Sequence, residues 1–151
     1  MTISLDIQNA SLHAPLPTNE QIQTWVESIL CAYERPFELT IRIVDEEESQ
    51  SLNHQYRGKA KPTNVLSFPF EVPDGIELDL LGDIVVCASI VEKESIVQNK
   101  QLNDHWAHMI IHGCLHLLGF DHIEEEEAEE MEAIEIATLA KLGIKNPYEC
   151  D

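Results

Sequence analysis

Between Asp104 and Leu118 most side chains are apolar. Trp106, Met109, Ile110, Ile111, Leu115, Leu117 and Leu118 point to nearly every side of a helix at this spacing. Such a helix must lie inside the fold, with other layers packed around it. Yet it also carries His108, His112 and His116, four residues apart and so in one stripe. Buried imidazoles are costly unless they find partners, and a metal ion is one such partner. Gly119 can end the helix, because glycine takes the left-handed C-terminal geometry without steric cost. The chain then turns back through Phe120 and Asp121, so that His122 can face the same point as His112 and His116. Three imidazoles meeting at a point, with Zn–N about 2.0–2.1 Å, suit zinc and leave a fourth position open for catalysis. The spacing therefore predicts one Zn2+ per chain on His112, His116 and His122. His108 and His105 are expected behind the site or in the core, and Cys114 on the far side of the helix.

The spacing is similar to the metzincin zinc signature H-E-x-x-H-x-x-G-x-x-H, with one departure. Gly113 stands where that signature has the glutamate that serves the peptidases as general base. The metal geometry is kept and the protease's base is absent. A metzincin-like zinc peptidase is therefore the weaker of two hydrolytic readings.

A chain of 151 residues with 44% hydrophobic and 25% charged residues suits a single domain, 1–151, with a real core. No apolar run approaches a membrane span. The N-terminus, Met1 to Asp6, lacks the basic and apolar regions of a secretion signal. Cys31, Cys87, Cys114 and Cys150 are widely separated and form no C-x-x-C pair, which points to reduced thiols and a cytoplasmic location. A net charge of −19 argues against a general nucleic-acid surface. The distribution qualifies this: Arg57, Lys59 and Lys61 form a basic lip suited to an anionic substrate.

In chain order, 2–9 alternates through Ile3, Leu5 and Ile7 and reads as a strand. Thr18 and Gln21 have the form of a capping box, opening a helix with Ile22, Trp25, Val26, Ile29 and Leu30 inward. A second strand spans 38–44. Asp45 and Glu48 look like the cap and partner of a short helix to about Tyr56, with His54 at its surface. After the basic loop, 64–70 reads as a strand that Pro69 confines to an edge, and 82–88 as a buried strand. Pro73-Asp74-Gly75 marks a turn between them. A helix is expected over 89–100, with Asn103 capping the central helix. The last helix, 124–142, should bury Met131, Ile134, Leu139 and Leu142 and leave its glutamate run as a solvated face. Strands and helices interleave without strict alternation. This predicts an α+β fold: a small mixed sheet of about four strands with about five helices, the central one carrying the histidines.

Three stretches together resemble the YbeY family: Tyr-Arg-Gly-Lys-Ala-Lys-Pro-Thr-Asn-Val-Leu-Ser-Phe-Pro at 56–69, Leu-Gly-Asp-Ile at 81–84, and His-Gly-Cys-Leu-His-Leu-Leu-Gly-Phe-Asp-His at 112–122. The resemblance runs from about residue 54 into the last helix. It implies a zinc-dependent, single-strand-specific endoribonuclease with zinc on His112, His116 and His122 and an important Arg57. It also implies a role in rRNA processing, notably at the 3′ end of 16S rRNA, and in ribosome quality control. The expected partners are single-stranded RNA, the ribosome or its small subunit, and assembly factors, without membrane or DNA. Many relatives carry Asp at the position of Asn64 and Tyr at that of Phe120, and neither change touches a proposed ligand.

The residues allow a mechanism consistent with this. Bound zinc lowers the pKa of its water to about 7 and polarises a phosphoryl oxygen, so no strong base is needed at Gly113. Arg57 could fork onto two phosphate oxygens, and His112 sits at the reacting centre. Lys59 and Lys61 would steer the RNA backbone. For Arg57 a surface salt bridge stays open as the plain alternative. Asp121 could orient an imidazole; Asp83 could do the same or simply bond at a strand end. A non-catalytic, zinc-stabilised assembly factor is the reading outside enzymology.

Overall fold

Alternating stretches pair side by side, and the apolar helix lies across them. The computed structural model describes residues 3–70, 79–120 and 125–148. In order they form β1 (Ile3–Asn9), α1 (Asn19–Leu30), β2 (Phe37–Val44), α2 (Glu46–Arg57), β3 (Val65–Pro69), β4 (Leu80–Cys87), α3 (Ala88–Val97), α4 (Leu102–Leu117) and α5 (Glu125–Lys141). The sheet order is β1-β2-β4-β3. β1, β2 and β4 run parallel, whereas β3 pairs antiparallel with β4 and forms an edge. Among the described residues the architecture is α+β, a small domain with one sheet of four strands and five α-helices, as expected. Pro69 ends β3 on that edge, where a missing N–H costs the ladder least.

The sheet's two faces are covered unequally. On one, Leu39, Ile41, Ile43, Ile84 and Val86 pack against α1 and α4, forming the main core with Trp25, Trp106, Ile110 and Leu115. On the other, Val44, Leu66, Val85 and Cys87 make a smaller cluster with Leu52, Phe68 and Ile90. α4 is surrounded by β3, β4, α1, α3 and α5. This enclosure is what its all-round apolarity required.

Local signals act largely as read. Gln21 N–H donates to Thr18 Oγ1 at 3.1 Å and Thr18 N–H donates to Gln21 Oε1 at 2.8 Å, closing the capping box. Two caps differ. Asp45 occupies the N-cap of α2 but its side chain makes no capping bond. Its carboxylate accepts instead from Ser11 Oγ (2.5 Å) and Leu12 N–H (3.1 Å), tying the β1–α1 connection to α2. Glu48 is engaged by Arg42, at 2.6 and 3.1 Å. The N-cap of α4 is Gln101 rather than Asn103, which lies inside the helix, and that cap has no side-chain bond either. The turn expected at 73–75 lies outside the described residues. No described helix is long and apolar enough to cross a membrane.

Candidate metal centre and substrate cleft

α4 ends where the histidines need it to. Gly119 N–H donates to His116 O and Phe120 N–H to Leu115 O, both at 3.0 Å, with Gly119 at φ +104°. This paired closure requires a left-handed residue, which glycine supplies. It also directs the Phe120 carbonyl at His116, whose Nδ1–H donates to it at 3.0 Å. One turn earlier, His112 Nδ1–H donates to Glu135 Oε1 of α5 at 2.6 Å. With both Nδ1 atoms acting as donors, the neutral rings turn the lone pairs of their Nε2 atoms inward. Those Nε2 atoms face each other at 3.0 Å.

Two such lone pairs repel unless a cation or a proton lies with them. Zinc bound to two imidazoles at about 2.05 Å in tetrahedral geometry holds their nitrogens roughly 3.3 Å apart, close to what the chain presents. The donor set therefore fits a metal ion. Its third expected ligand, His122, lies outside the described residues, as does Asp121.

Among the described residues, His108, His112 and Glu135 also bring potential ligand atoms within 4.8 Å of one another and could hold a metal. Glu135 is also the hub of a hydrogen-bond network. Its side chain is 0% exposed, and its oxygens accept from His112 Nδ1, from His108 Nε2 at 2.8 Å and from the Tyr148 hydroxyl. A carboxylate behind a ligating imidazole fixes the ring's tautomer and raises its basicity. Burial alone would push the Glu135 carboxyl up. The hydrogen bonds from His108 and His112 outweigh this and hold it down at about 2. His108 is itself lowered, mainly by burial, despite its bond to Glu135. His105, also buried, bonds Glu94 at 2.9 Å, and Asn64 Nδ2 donates to both Glu94 oxygens at 3.1 Å. His105 is thus engaged by Glu94, and His108 by Glu135, beside the His112 ring. The expectation that the glutamate run is a solvated face and not a metal site is corrected at Glu135, which is buried and is one of the three residues that could hold a metal.

Gly113 faces β4. A Cβ there would sit 3.0 Å from Ile84 Cγ2 and 3.1 Å from its Cδ1. The position where the peptidases carry their base is packed against the sheet, with little room for a longer side chain.

His112 and His116 open onto a cleft of about 960 Å³, whose lining also includes Tyr56, Arg57, Asn64, Phe68 and Phe120. Arg57 is exposed at the end of α2, which Gly58 closes at φ +72°. No carboxylate among the described residues pairs with Arg57. Lys59 and Lys61 are exposed but do not line the cleft. Their loop is pinned from below, where Asn53 Nδ2 donates to Lys61 O at 2.8 Å and Ser49 Oγ to Thr63 O at 2.9 Å. Asp83 is exposed on β4, in alternation with Ile84 and Val86 that face α4, so it lies on the sheet face away from the histidines. Cys114 is core, its thiol pushed up to about 12 by burial.

A family model described as endoribonuclease YbeY matches residues 6–143. The chain belongs to the YbeY family. One YbeY relative, the endoribonuclease YbeY of Colwellia psychrerythraea, is 60% identical over 148 residues, spanning 95% of this chain and 96% of the relative. The solution structure of TM1509 from Thermotoga maritima is similar with a TM-score of 0.60 and 25% identity, covering 99% of this chain and 97% of that one. In this YbeY chain, Glu135 and Tyr148 are the site residues that spacing did not reveal. Glu135 lies four residues after Met131 and four before Leu139, both buried, and that register was the available signal.

Proposed function

We propose that the protein is a zinc-dependent, single-strand-specific endoribonuclease acting in the cytoplasm on ribosomal RNA. Its tasks would be 16S 3′-end maturation and ribosome quality control, in contact with the small subunit and its assembly factors. The observation that carries this is the shared cleft: Arg57 and the facing imidazoles of His112 and His116 line one cavity beside an edge strand. Family membership supports the same reading.

His112, His116 and His122 would hold the ion. When bound, zinc supplies a Lewis acid at the scissile phosphate and acidifies water. The remaining work belongs to the chain. Glu135 and the Phe120 carbonyl lock the tautomers of His112 and His116, so the ligand nitrogens are set before metal arrives. Arg57 spans two phosphate oxygens and opposes the charge that develops there. Lys59 and Lys61 raise the local concentration of RNA from outside the cleft, which helps offset a net charge of −19.

Arg57→Ala is the test. The variant should keep its melting temperature and zinc content and lose about 10²–10³-fold in RNA cleavage, the range for one transition-state donor. Cleavage at the wild-type rate would remove Arg57 from catalysis. RNA binding without cleavage by the wild-type, zinc-loaded protein would favour a non-catalytic assembly factor.

A further inference from the structure

The cleft holds an aromatic pair that the metal chemistry does not use. Tyr56 is 59% exposed although it lines the cleft. Its ring meets Phe68 edge-on, with centroids 4.9 Å apart and planes at 62°. Phe68 is anchored in turn, packing on the cluster of Val44, Leu66, Val85 and Cys87. Tyr56 also precedes Arg57 in the last turn of α2, so the ring is carried on the same rigid element as the guanidinium. Its hydroxyl has no hydrogen-bond partner among the described residues.

We propose that Tyr56, braced by Phe68, is the surface on which an unpaired RNA base stacks next to the phosphate held by Arg57. This deepens the endoribonuclease reading and rests on it. An acidic protein with few cations at its cleft gains binding from a contact that does not depend on charge. Base–aromatic stacking is such a contact, and it tolerates any sequence because every base has a π-face. It also discriminates. In a duplex both faces of each base are covered by neighbours, so only an unpaired strand can offer a face to Tyr56. The aromatic pair would thus make the cleft selective for single strands, while the metal and Arg57 act on a phosphodiester common to all RNA.

The experiment is an abasic scan through a single-stranded RNA of about 12 nucleotides, read with wild type, Tyr56→Phe and Tyr56→Ala. At the stacking position, removing the base should raise the wild-type KM at least about fivefold with little change in kcat. Tyr56→Ala should raise KM similarly on intact RNA, and the abasic change should then add less than about twofold. Tyr56→Phe keeps the ring and should behave as wild type. Independent, multiplying effects at every position, or a Tyr56→Phe as impaired as Tyr56→Ala, would overturn the proposal. Equilibrium binding of the same oligonucleotides to chelator-treated protein separates the two readings. Coupling in Kd with no cleavage by the reloaded wild type contradicts the endoribonuclease alone. Cleavage without coupling contradicts the stacking alone.

Discussion

Replacing Glu135 with glutamine removes a charge while keeping the shape, and the bonds around it set the cost. The carboxylate is fully buried and accepts three bonds, one on Oε1 from His112 and two on Oε2 from His108 and Tyr148. An amide has one acceptor end and one donor end, so at least one of these donors must face an N–H. Hydrogen bonds to charged groups contribute about 1.5–3 kcal/mol and neutral ones about 0.5–1.5. Downgrading the surviving bonds therefore costs roughly 1 kcal/mol each, and a buried donor facing a donor adds about 1–3. Relief from burying a charge offsets part of this, leaving a loss of about 2–4 kcal/mol. For a domain of this size that lowers Tm by about 5–15 °C. The amide also affects the metal. If its N–H faces His112 Nδ1, the ring relaxes by moving its proton to Nε2, the nitrogen turned toward His116. Zinc affinity should then fall about 10–100-fold. Melting of metal-free protein by circular dichroism, and zinc competition against a chromophoric chelator, measure both effects. A variant that melts within about 3 °C of wild type and binds zinc equally well would refute the role assigned to Glu135.

Other perturbations have definite outcomes. Glu135 titrates at about 2 in the folded protein and near 4.3 when unfolded, so its carboxylate stabilises the fold above that higher value and the contribution is lost as pH falls toward the lower one. In urea unfolding of metal-free protein, the stability gap between wild type and Glu135→Gln should narrow from about pH 5 to about pH 3; a constant gap would contradict this sign. Gly113→Glu restores the peptidase motif but drives a side chain into Ile84, so it should cost about 1–3 kcal/mol in denaturant midpoint and yield no peptidase turnover. Iodoacetamide at mildly alkaline pH should modify exposed Cys31 and spare buried Cys87 and Cys114, as read by peptide mass mapping; rapid modification of Cys114 would show that α4 is not enclosed.

The elements with strong local grammar were legible in the chain. The Thr18–Gln21 box, the glycine closure after His116 and the proline at the edge of β3 each depend on residues a few positions apart, and each formed as expected. What depends on partners distant in sequence was not legible. Asp45 has the right residue type and position for a cap, yet Ser11, 34 positions away, takes its carboxylate. Glu135 is chemically identical to the exposed glutamates before it, and only its register with Met131 and Leu139 turns it toward α4. The sheet order is likewise a property of long-range pairing, which strand patterns leave open. The basic lip was read as one unit, but the end of α2 separates it: Arg57 lines the cleft, while Lys59 and Lys61 lie beyond Gly58 and outside it.

The most direct measurement is a zinc titration of chelator-stripped protein with single-stranded RNA cleavage followed in the same tube. Cleavage should be absent at the start, rise in proportion to added zinc, and level off at one ion per chain; His112→Ala should stay inactive throughout. Stripped protein that cuts RNA as fast as the reloaded sample, or activity that bears no relation to the first equivalent of metal, would mean that the facing imidazoles of α4 are not the centre of the chemistry.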